Sequence, residues 1–568
     1  MVGKPGRCAI LEQFLADGIH YMFGNPGTSE EGFLDALWNY PELKYILTLQ
    51  ESVAVMMADG YARATQKPAL VQLHSTPGLG NAIGALYQAK RGHSPLVVIG
   101  GDAGIQYQAM DAQMAGDLVA FAEPVTKWAT MVMEPSSLLR VLRRAVKIAM
   151  TPPRGPVYVC LPLDVLEAVT VEAIQPTSVP LTQVLPDGDQ LKTAADWLAS
   201  AHKPMIFVGD GIACSGAQAE LRQVAELLGA EVWEVDAGEL NMSHHHPLYR
   251  GTTGHMFGSQ SYPIMSRGDV NLVCGTYLLP EVFPRLGNIF SPHARVIHID
   301  LDLDAIAKNH PVDLGLLGDP KCTLAHLANL LAAILTPEQR AAAETRMMKM
   351  SLDQSARREA ELQADSKVWH QVPLHFSRFA EALANHLPAD AIVFDEALTC
   401  SPQLTRYLLP SQPGHYFLTR GGSLGVGIPG ALGVKLAQPD RTVVGVTGDG
   451  GAMYTIQALW SAARHNIDAK LIICNNRSYR LLQLNVLAYW RERSIPEHAF
   501  PLSFDLSQPR LYFDQMARSM GVEAVRVETP DQIEPAIQAA LAYDGPFLID
   551  VVLEGDIRPD MVGVECGQ

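Results

Sequence analysis

Gly448-Asp449-Gly450-Gly451 closes an apolar run at 443–447, and Asn475-Asn476 closes a second at 471–474, after a spacer of about two dozen residues. Between them, 453–465 reads as a helix, so the pattern is strand, glycine turn, helix, strand, loop. In a parallel sheet the tips of neighbouring strands lie side by side, which brings Asp449 and Asn476 toward one point. A carboxylate and an amide oxygen suit a hard cation such as magnesium. Glycines at a helix start let backbone N–H groups approach phosphate oxygens. The chemistry on offer is the joint holding of a metal ion and a diphosphate. A second Gly-Asp-Gly, Gly209-Asp210-Gly211, also follows an apolar run, but no Asn pair trails it, and it reads as a turn.

Far upstream, Glu51 stands eight residues ahead of Asp59-Gly60-Tyr61-Ala62. Taken alone, Glu51 is a carboxylate at a helix N-terminus, where the helix dipole favours it. Leu49, Val53 and Val55 would give it an apolar surround, and burial favours the neutral form of an acid. Together the two motifs, in this order, resemble those of the thiamine-diphosphate (ThDP) enzymes. Within that family the sequence is most similar to benzoylformate decarboxylase and its relatives. The matching phrases are Phe23-Gly24-Asn25-Pro26-Gly27, Leu73-His74-Ser75 with Gly80-Asn81-Ala82, and His93-Ser94-Pro95-Leu96. Further matches are Ser461 after Ala458-Leu459-Trp460, and Gly421-Gly422-Ser423-Leu424-Gly425 followed by Ile428-Pro429.

The resemblance implies roles residue by residue. Glu51 contacts the aminopyrimidine, the Gly422 carbonyl accepts from its exocyclic amine, and Leu424 props the cofactor in its bent shape. Asp449, Gly450, Gly451, Asn476, Ser478, Tyr479 and Thr399 complete the cofactor site, with Asp449, Asn476 and Ser478 on the metal, Mg2+ or Ca2+. His74 is placed as a proton shuttle beside the reacting carbonyl, and Thr28 stands where relatives carry a serine that orients the substrate carboxylate. The substrate pocket takes Thr28, Tyr277, Leu482 and Asn485. Three departures set this chain apart from the benzoylformate enzymes. Thr28 replaces the serine. No second active-site histidine occurs in 275–281, where Tyr277 or Glu281 could substitute. Asn485 stands where an aromatic would hold an aryl ring. The implied activity is ThDP- and Mg-dependent decarboxylation of a 2-oxoacid to an aldehyde, with carboligation to 2-hydroxyketones as a side reaction. An acetolactate-synthase-like carboligase, a lyase of 2-hydroxyketones or 2-hydroxyacyl thioesters, and a ThDP-binding protein without turnover are the rival readings. FAD is not expected, because no clear phrase for it occurs in the middle of the chain.

The elements that must position these residues follow from a strand–helix rhythm that recurs along the chain. Apolar strand-like runs at 69–73, 95–99 and 155–162 alternate with helical stretches, 81–90 among them, with 74–78 as a loop. Such βαβ order implies a parallel sheet covered by helices. The fold class expected is α/β with three doubly wound parallel-sheet domains. These are a pyrimidine-binding domain at 1–175, a middle domain at 190–345 and a diphosphate- and metal-binding domain at 370–560. A proline-rich linker at 174–186 and a charged helical connector at 346–367 separate them. His244-His245-His246 reads as a loop, and Asp300, Asp302 and Asp304 as turn caps.

Net charge is −17 over 568 residues without a basic stripe, which disfavours nucleic acid or an anionic membrane as partner. No run reaches the ~20 apolar residues of a membrane span, and the N-terminus lacks an uninterrupted signal core. Eight scattered cysteines, several inside apolar runs, read as buried free thiols. A cytoplasmic enzyme is expected, as a homodimer or homotetramer whose active sites are shared between subunits.

Overall fold

The computed structural model describes residues 3–555 and contains three six-stranded sheets, each wholly parallel. The first is built from β1 (Tyr21–Gly24), β2 (Lys44–Leu47), β3 (Ala69–Leu73), β4 (Leu96–Asp102), β5 (Trp128–Met131) and β6 (Val157–Pro162) in the order β2-β1-β3-β4-β6-β5. The second has β7 (Pro204–Val208), β8 (Glu231–Glu234), β9 (Tyr249–Thr252), β10 (Val270–Cys274), β11 (Arg295–Asp300) and β12 (Leu314–Leu317), ordered β9-β8-β7-β10-β11-β12. The third has β13 (Ile392–Glu396), β14 (Tyr416–Leu418), β15 (Val443–Gly448), β16 (Ala469–Asn475), β17 (Glu523–Val527) and β18 (Phe547–Val552), ordered β14-β13-β15-β16-β18-β17. The first and third sheets thus share one topology. The middle one has the two-halved order of dinucleotide-binding folds, which fixes architecture and not function. Central strands such as β3, β4 and β16 are buried along their whole length, as parallel sheets covered on both faces require.

Two helices join the outer sheets. Helix α1 (Glu51–Thr65) starts where the Gln50 side chain accepts from the N–H groups of Ser52 and Val53, and stops at Gln66 in the left-handed conformation. It crosses α2 (Gly427–Ala437) at glycines. A Cβ on Gly60 would strike the Gly430 carbonyl, and one on Gly433 would strike the Met57 carbonyl. One continuous apolar cluster therefore runs from the first sheet into the third.

The stretch expected as a helical connector, 346–367, falls in a helix that begins nine residues earlier. Residues 171–187 form no regular element, and the connector is a 30-residue helix, Pro337–Ser366, opened by a Thr336/Gln339 capping box. The described cysteines are all unpaired; Cys566 lies outside the described residues. No helix among the described residues is long and apolar enough to cross a membrane.

Three local expectations change. Residues 75–78 are not loop but the first turn of helix α3 (Ser75–Arg91), entered through Ser75 at φ 46°. The stretch 453–465 is not one helix. A short turn of helix, Asp449–Ala452, is followed by an irregular stretch and then by Ala458–Arg464, because Thr455 spends its hydroxyl on the Gly425 carbonyl (2.6 Å). The turn at Gly209-Asp210-Gly211 also carries an interdomain tie. Asp210 accepts from the N–H groups of Gly238 and Glu239 and pairs with Arg420 of the third domain.

Candidate active site

β15 and β16 are neighbours in register, with Gly448 opposite Cys474, so Asp449 and Asn476 leave adjacent strand tips. The Asp449 carboxylate accepts from the N–H of Gly450 (2.8 Å) and of Arg477 (2.5 Å), which ties the two loops together. Burial pushes the Asp449 carboxyl up to about 7, with those two N–H groups pulling it back. The Asn pair divides its work. Asn475 donates to Asp550 inside the sheet (2.9 Å), whereas Asn476 Oδ1 faces the loop and accepts from the N–H (3.0 Å) and hydroxyl (3.3 Å) of Ser478. Tyr479 N–H donates to the Phe504 carbonyl, and its ring covers Gly450, where a Cβ would not fit. These donors are hard oxygens on two fixed loops, and they suit a small divalent cation. Among the described residues no group of three or more His, Cys, Asp or Glu side chains could hold a metal alone. A cation here would take its remaining ligands from backbone carbonyls, water and the phosphates of the cofactor.

The second constellation gathers at the tips of β1, β2 and β3. Glu51 is buried at the start of α1; of the three apolar neighbours expected, Val53 and Val55 are fully buried and Leu49 is 47% exposed. Two amides hold its carboxylate. Asn25 Nδ2 lies 3.2 Å from Oε1 and Asn81 Nδ2 lies 3.0 Å from Oε2. His74 caps α3, and its Nδ1 sits 2.9 Å from Glu30 Oε2 and 3.2 Å from Ser29 Oγ. A Cβ on Gly78 would touch both Glu51 Oε1 and His74 Cβ, so the two share one corner. Thr28 is exposed beside them. Sequence reasoning missed Ser29 and Glu30, although both sit inside the run that follows Gly27.

The segment 421–427 is set by Glu396, a second residue missed. Its carboxylate accepts from the N–H groups of Gly425 (2.6 Å), Val426 (3.1 Å) and Gly427 (2.7 Å) and from Thr447 Oγ1 (2.9 Å). Gly422 is exposed at φ 75°, Leu424 is half-buried, and Thr399 is buried at the end of β13. The helix Arg480–Arg493 buries only Arg480 and Trp490, leaving Leu482 42% exposed and Asn485 half-exposed. The structure places Tyr277 elsewhere in this chain. Its ring lies under Arg91, 5.5 Å away, at the far end of α3 from His74, a helix length of ~25 Å. Glu281 is buried on the Ser261 hydroxyl.

The two constellations do not meet within one chain. Leu47 N–H, at the tip of β2, donates to His465 Nε2 (2.9 Å), which precedes β16. Asp449 and Asn476 lie at the opposite end of β15 and β16, ~20 Å away along the strands.

Residues 6–121, 191–327 and 398–551 match the thiamine pyrophosphate (that is, ThDP) enzyme N-terminal TPP-binding, central and C-terminal TPP-binding domains. The chain belongs to the thiamine pyrophosphate enzyme family. It is 30% identical to benzoylformate decarboxylase of Pseudomonas aeruginosa over 96% of this chain and 98% of that one. It is 28% identical to the acetolactate synthase isozyme 3 large subunit of Escherichia coli over 97% and 95%. Among solved structures it superposes on the ThDP-dependent 4-hydroxybenzoylformate decarboxylase of Rhodococcus jostii RHA1 with a TM-score of 0.85 and 28% identity, covering 97% of this chain and 100% of that one.

Proposed function

We propose that this chain is a decarboxylase of 2-oxoacids that binds ThDP together with a divalent cation, releases an aldehyde, and works as a dimer or a multiple of one. The observation that carries the reading is the gathering of a buried carboxylate, Glu51, and a half-buried histidine, His74, at one strand-tip corner, and of an Asp–Asn oxygen pair at another. Bound ThDP supplies the electron sink that makes loss of CO2 feasible. Asp449, Asn476 and Ser478 hold the cation and through it the diphosphate, with Gly450, Gly451, Tyr479 and Thr399 around them. The Gly422 carbonyl and Leu424 fix the other end. Glu51 holds a proton at the aminopyrimidine, positioned by Asn25 and Asn81. His74 moves a proton at the substrate oxygen, and Thr28 orients the substrate carboxylate, with Leu482 and Asn485 shaping the pocket. The separation of the Glu51 and Asp449 corners within one chain supports a site completed by a second copy. Tyr277, at the far end of α3, serves the pocket only if it comes from that copy.

The test incubates the protein with ThDP, magnesium and a panel of 2-oxoacids, following CO2 and aldehyde. Release of both from at least one member is expected. Acetolactate from pyruvate without free aldehyde would move the chain to the carboligase reading, which the similarity to acetolactate synthases favours. No turnover of any member, by either product, overturns the decarboxylase reading.

A further inference from the structure

We propose that Glu30 is a positioning residue for His74: its carboxylate keeps the imidazole proton on Nδ1, leaves Nε2 for the reacting oxygen, and shelters the charge when Nε2 takes up a proton. This assignment rests on the reading of His74 as proton shuttle. Glu30 is fully buried; its Oε1 accepts from Ser29 Oγ (2.8 Å), with the Gly101 N–H alongside, and its Oε2 lies 2.9 Å from His74 Nδ1. With Oε1 already accepting from Ser29, an ionised Glu30 also accepts at Oε2, which puts the proton facing it on Nδ1. The Ser29 hydroxyl has one proton, given to Glu30, and offers its lone pair to Nδ1 at 3.2 Å. The partner on one ring nitrogen decides what the other can do.

The backbone is shaped around the pair. A Cβ on Gly27 would collide with the His74 ring, and one on Gly101 would collide with Glu30 Oε1. Two strand-tip glycines thus leave room for a buried acid that the cofactor site itself does not require. Burial raises the Glu30 carboxyl above its ordinary value, while Ser29, His74 and Gly101 lower it. The other titratable groups nearby are Tyr45 on β2, Asp102 on β4, Tyr158 and Cys160 on β6, and Glu51 on α1. Burial raises Tyr45, Tyr158 and Cys160, which keeps them neutral near neutral pH. Among the described residues Glu30 is the carboxylate hydrogen-bonded to the ring. In a catalytic cycle Nε2 accepts a proton from the reacting oxygen or water and returns it, and Glu30 stays ionised throughout.

The test compares Glu30→Gln, Glu30→Asp, Ser29→Ala and His74→Ala in the ThDP- and magnesium-loaded enzyme. For Glu30→Gln, kcat/KM should fall ~10- to 100-fold, the usual effect of removing such a partner. The limb of its pH profile that is absent in His74→Ala should move to lower pH. Glu30→Asp should regain part of the rate, and Ser29→Ala should shift the limb in the same direction by less. Exchange of the cofactor C2 proton, which precedes substrate, should stay at the wild-type rate in all four. Should Glu30→Gln fold poorly, Ser29→Ala and Glu30→Asp carry the test. A wild-type pH profile in the Glu30 and Ser29 variants beside a crippled His74→Ala overturns the role of Glu30 alone. Wild-type turnover in His74→Ala overturns the shuttle reading itself, and the role of Glu30 with it.

Discussion

At the scale of single residues, the two carboxylates that matter most are held in opposite ways. Glu51 accepts from two side-chain amides, one on each oxygen, so its amide replacement keeps the shape and one of those hydrogen bonds but can no longer exchange a proton. Glu51→Gln is expected to bind ThDP near normally and to lose C2 proton exchange by ~100-fold or more, the scale of a general acid–base group; exchange into deuterated water measures it, and an unchanged rate would remove Glu51 from that role. Asp449 is tied by backbone N–H groups of two loops, and among the described residues no group of three His, Cys, Asp or Glu side chains could hold a cation alone, so the cation and the diphosphate need each other. Calorimetry on Asp449→Ala should show ThDP affinity lost, and on the wild-type protein affinity that appears only when a divalent cation is added. Unchanged affinity in the variant would dismiss the metal assignment.

At the scale of elements, both candidate corners depend on close approach. Glu396 gathers three consecutive backbone N–H groups and one hydroxyl, so a sharply turned glycine segment is pinned to the end of β13. Glu396→Gln turns one oxygen acceptor into a donor facing donors, leaves a buried N–H group unpaired, and should cost about 1–3 kcal/mol. The weakened grip on 425–427 should also lower ThDP affinity more than Glu51→Gln does, as titration of the two variants would show. The crossing of α1 and α2 at Gly60 and Gly433 has backbone on both sides and nowhere to yield. Gly60→Ala should therefore destabilise by about 1–3 kcal/mol, the range for overpacking, although alanine is the better helix former. A stability gain in urea unfolding would mean the helices can part.

At the scale of the molecule, the separation of Glu51 from Asp449 makes a mixing prediction. Co-expressed Glu51→Gln and Asp449→Ala chains form hybrid dimers in which one site combines both intact residues. Activity near a quarter of wild type is expected from statistical assortment in a symmetric dimer. A mixture as inactive as its parents would place each site within one chain. The middle domain supplies a pH prediction. His298 is 1% exposed, donates from Nε2 to the Thr276 carbonyl (2.8 Å) and accepts at Nδ1 from Ala307 N–H, an arrangement only the neutral ring satisfies. Burial lowers it to about 4 from an ordinary value of 6.5. The unfolded chain then binds the extra proton in that window, so this contribution is complete above about 6.5 and is lost as pH falls toward 4. Replacing it with asparagine should reduce the stability lost between pH 7 and 4.5 by about 2 kcal/mol, measured as the difference between urea midpoints. An equal loss in both proteins would refute the neutral assignment.

What the sequence determined by itself is local and periodic. Apolar runs ending in glycine or asparagine gave the strand tips, and Gly448-Asp449-Gly450-Gly451 with Asn475-Asn476 gave the oxygen pair, because a parallel sheet places consecutive tips side by side. The connector helix was legible from its charge and its lack of strand formers. What only tertiary structure decided depends on contacts between distant segments. Glu30 and Glu396 carry no signal along the chain, and only the approach of Gly101, His74 and the glycine segment 425–427 gives them partners. Asp210 read as a turn until Arg420 arrived from more than two hundred residues away. The amides of Asn25 and Asn81 on Glu51 were not legible, since spacing along one helix says nothing of which side chains neighbouring segments present. The distance between the two halves of the site was likewise invisible, because periodicity fixes the direction of each strand but not which edge of one sheet meets which edge of another.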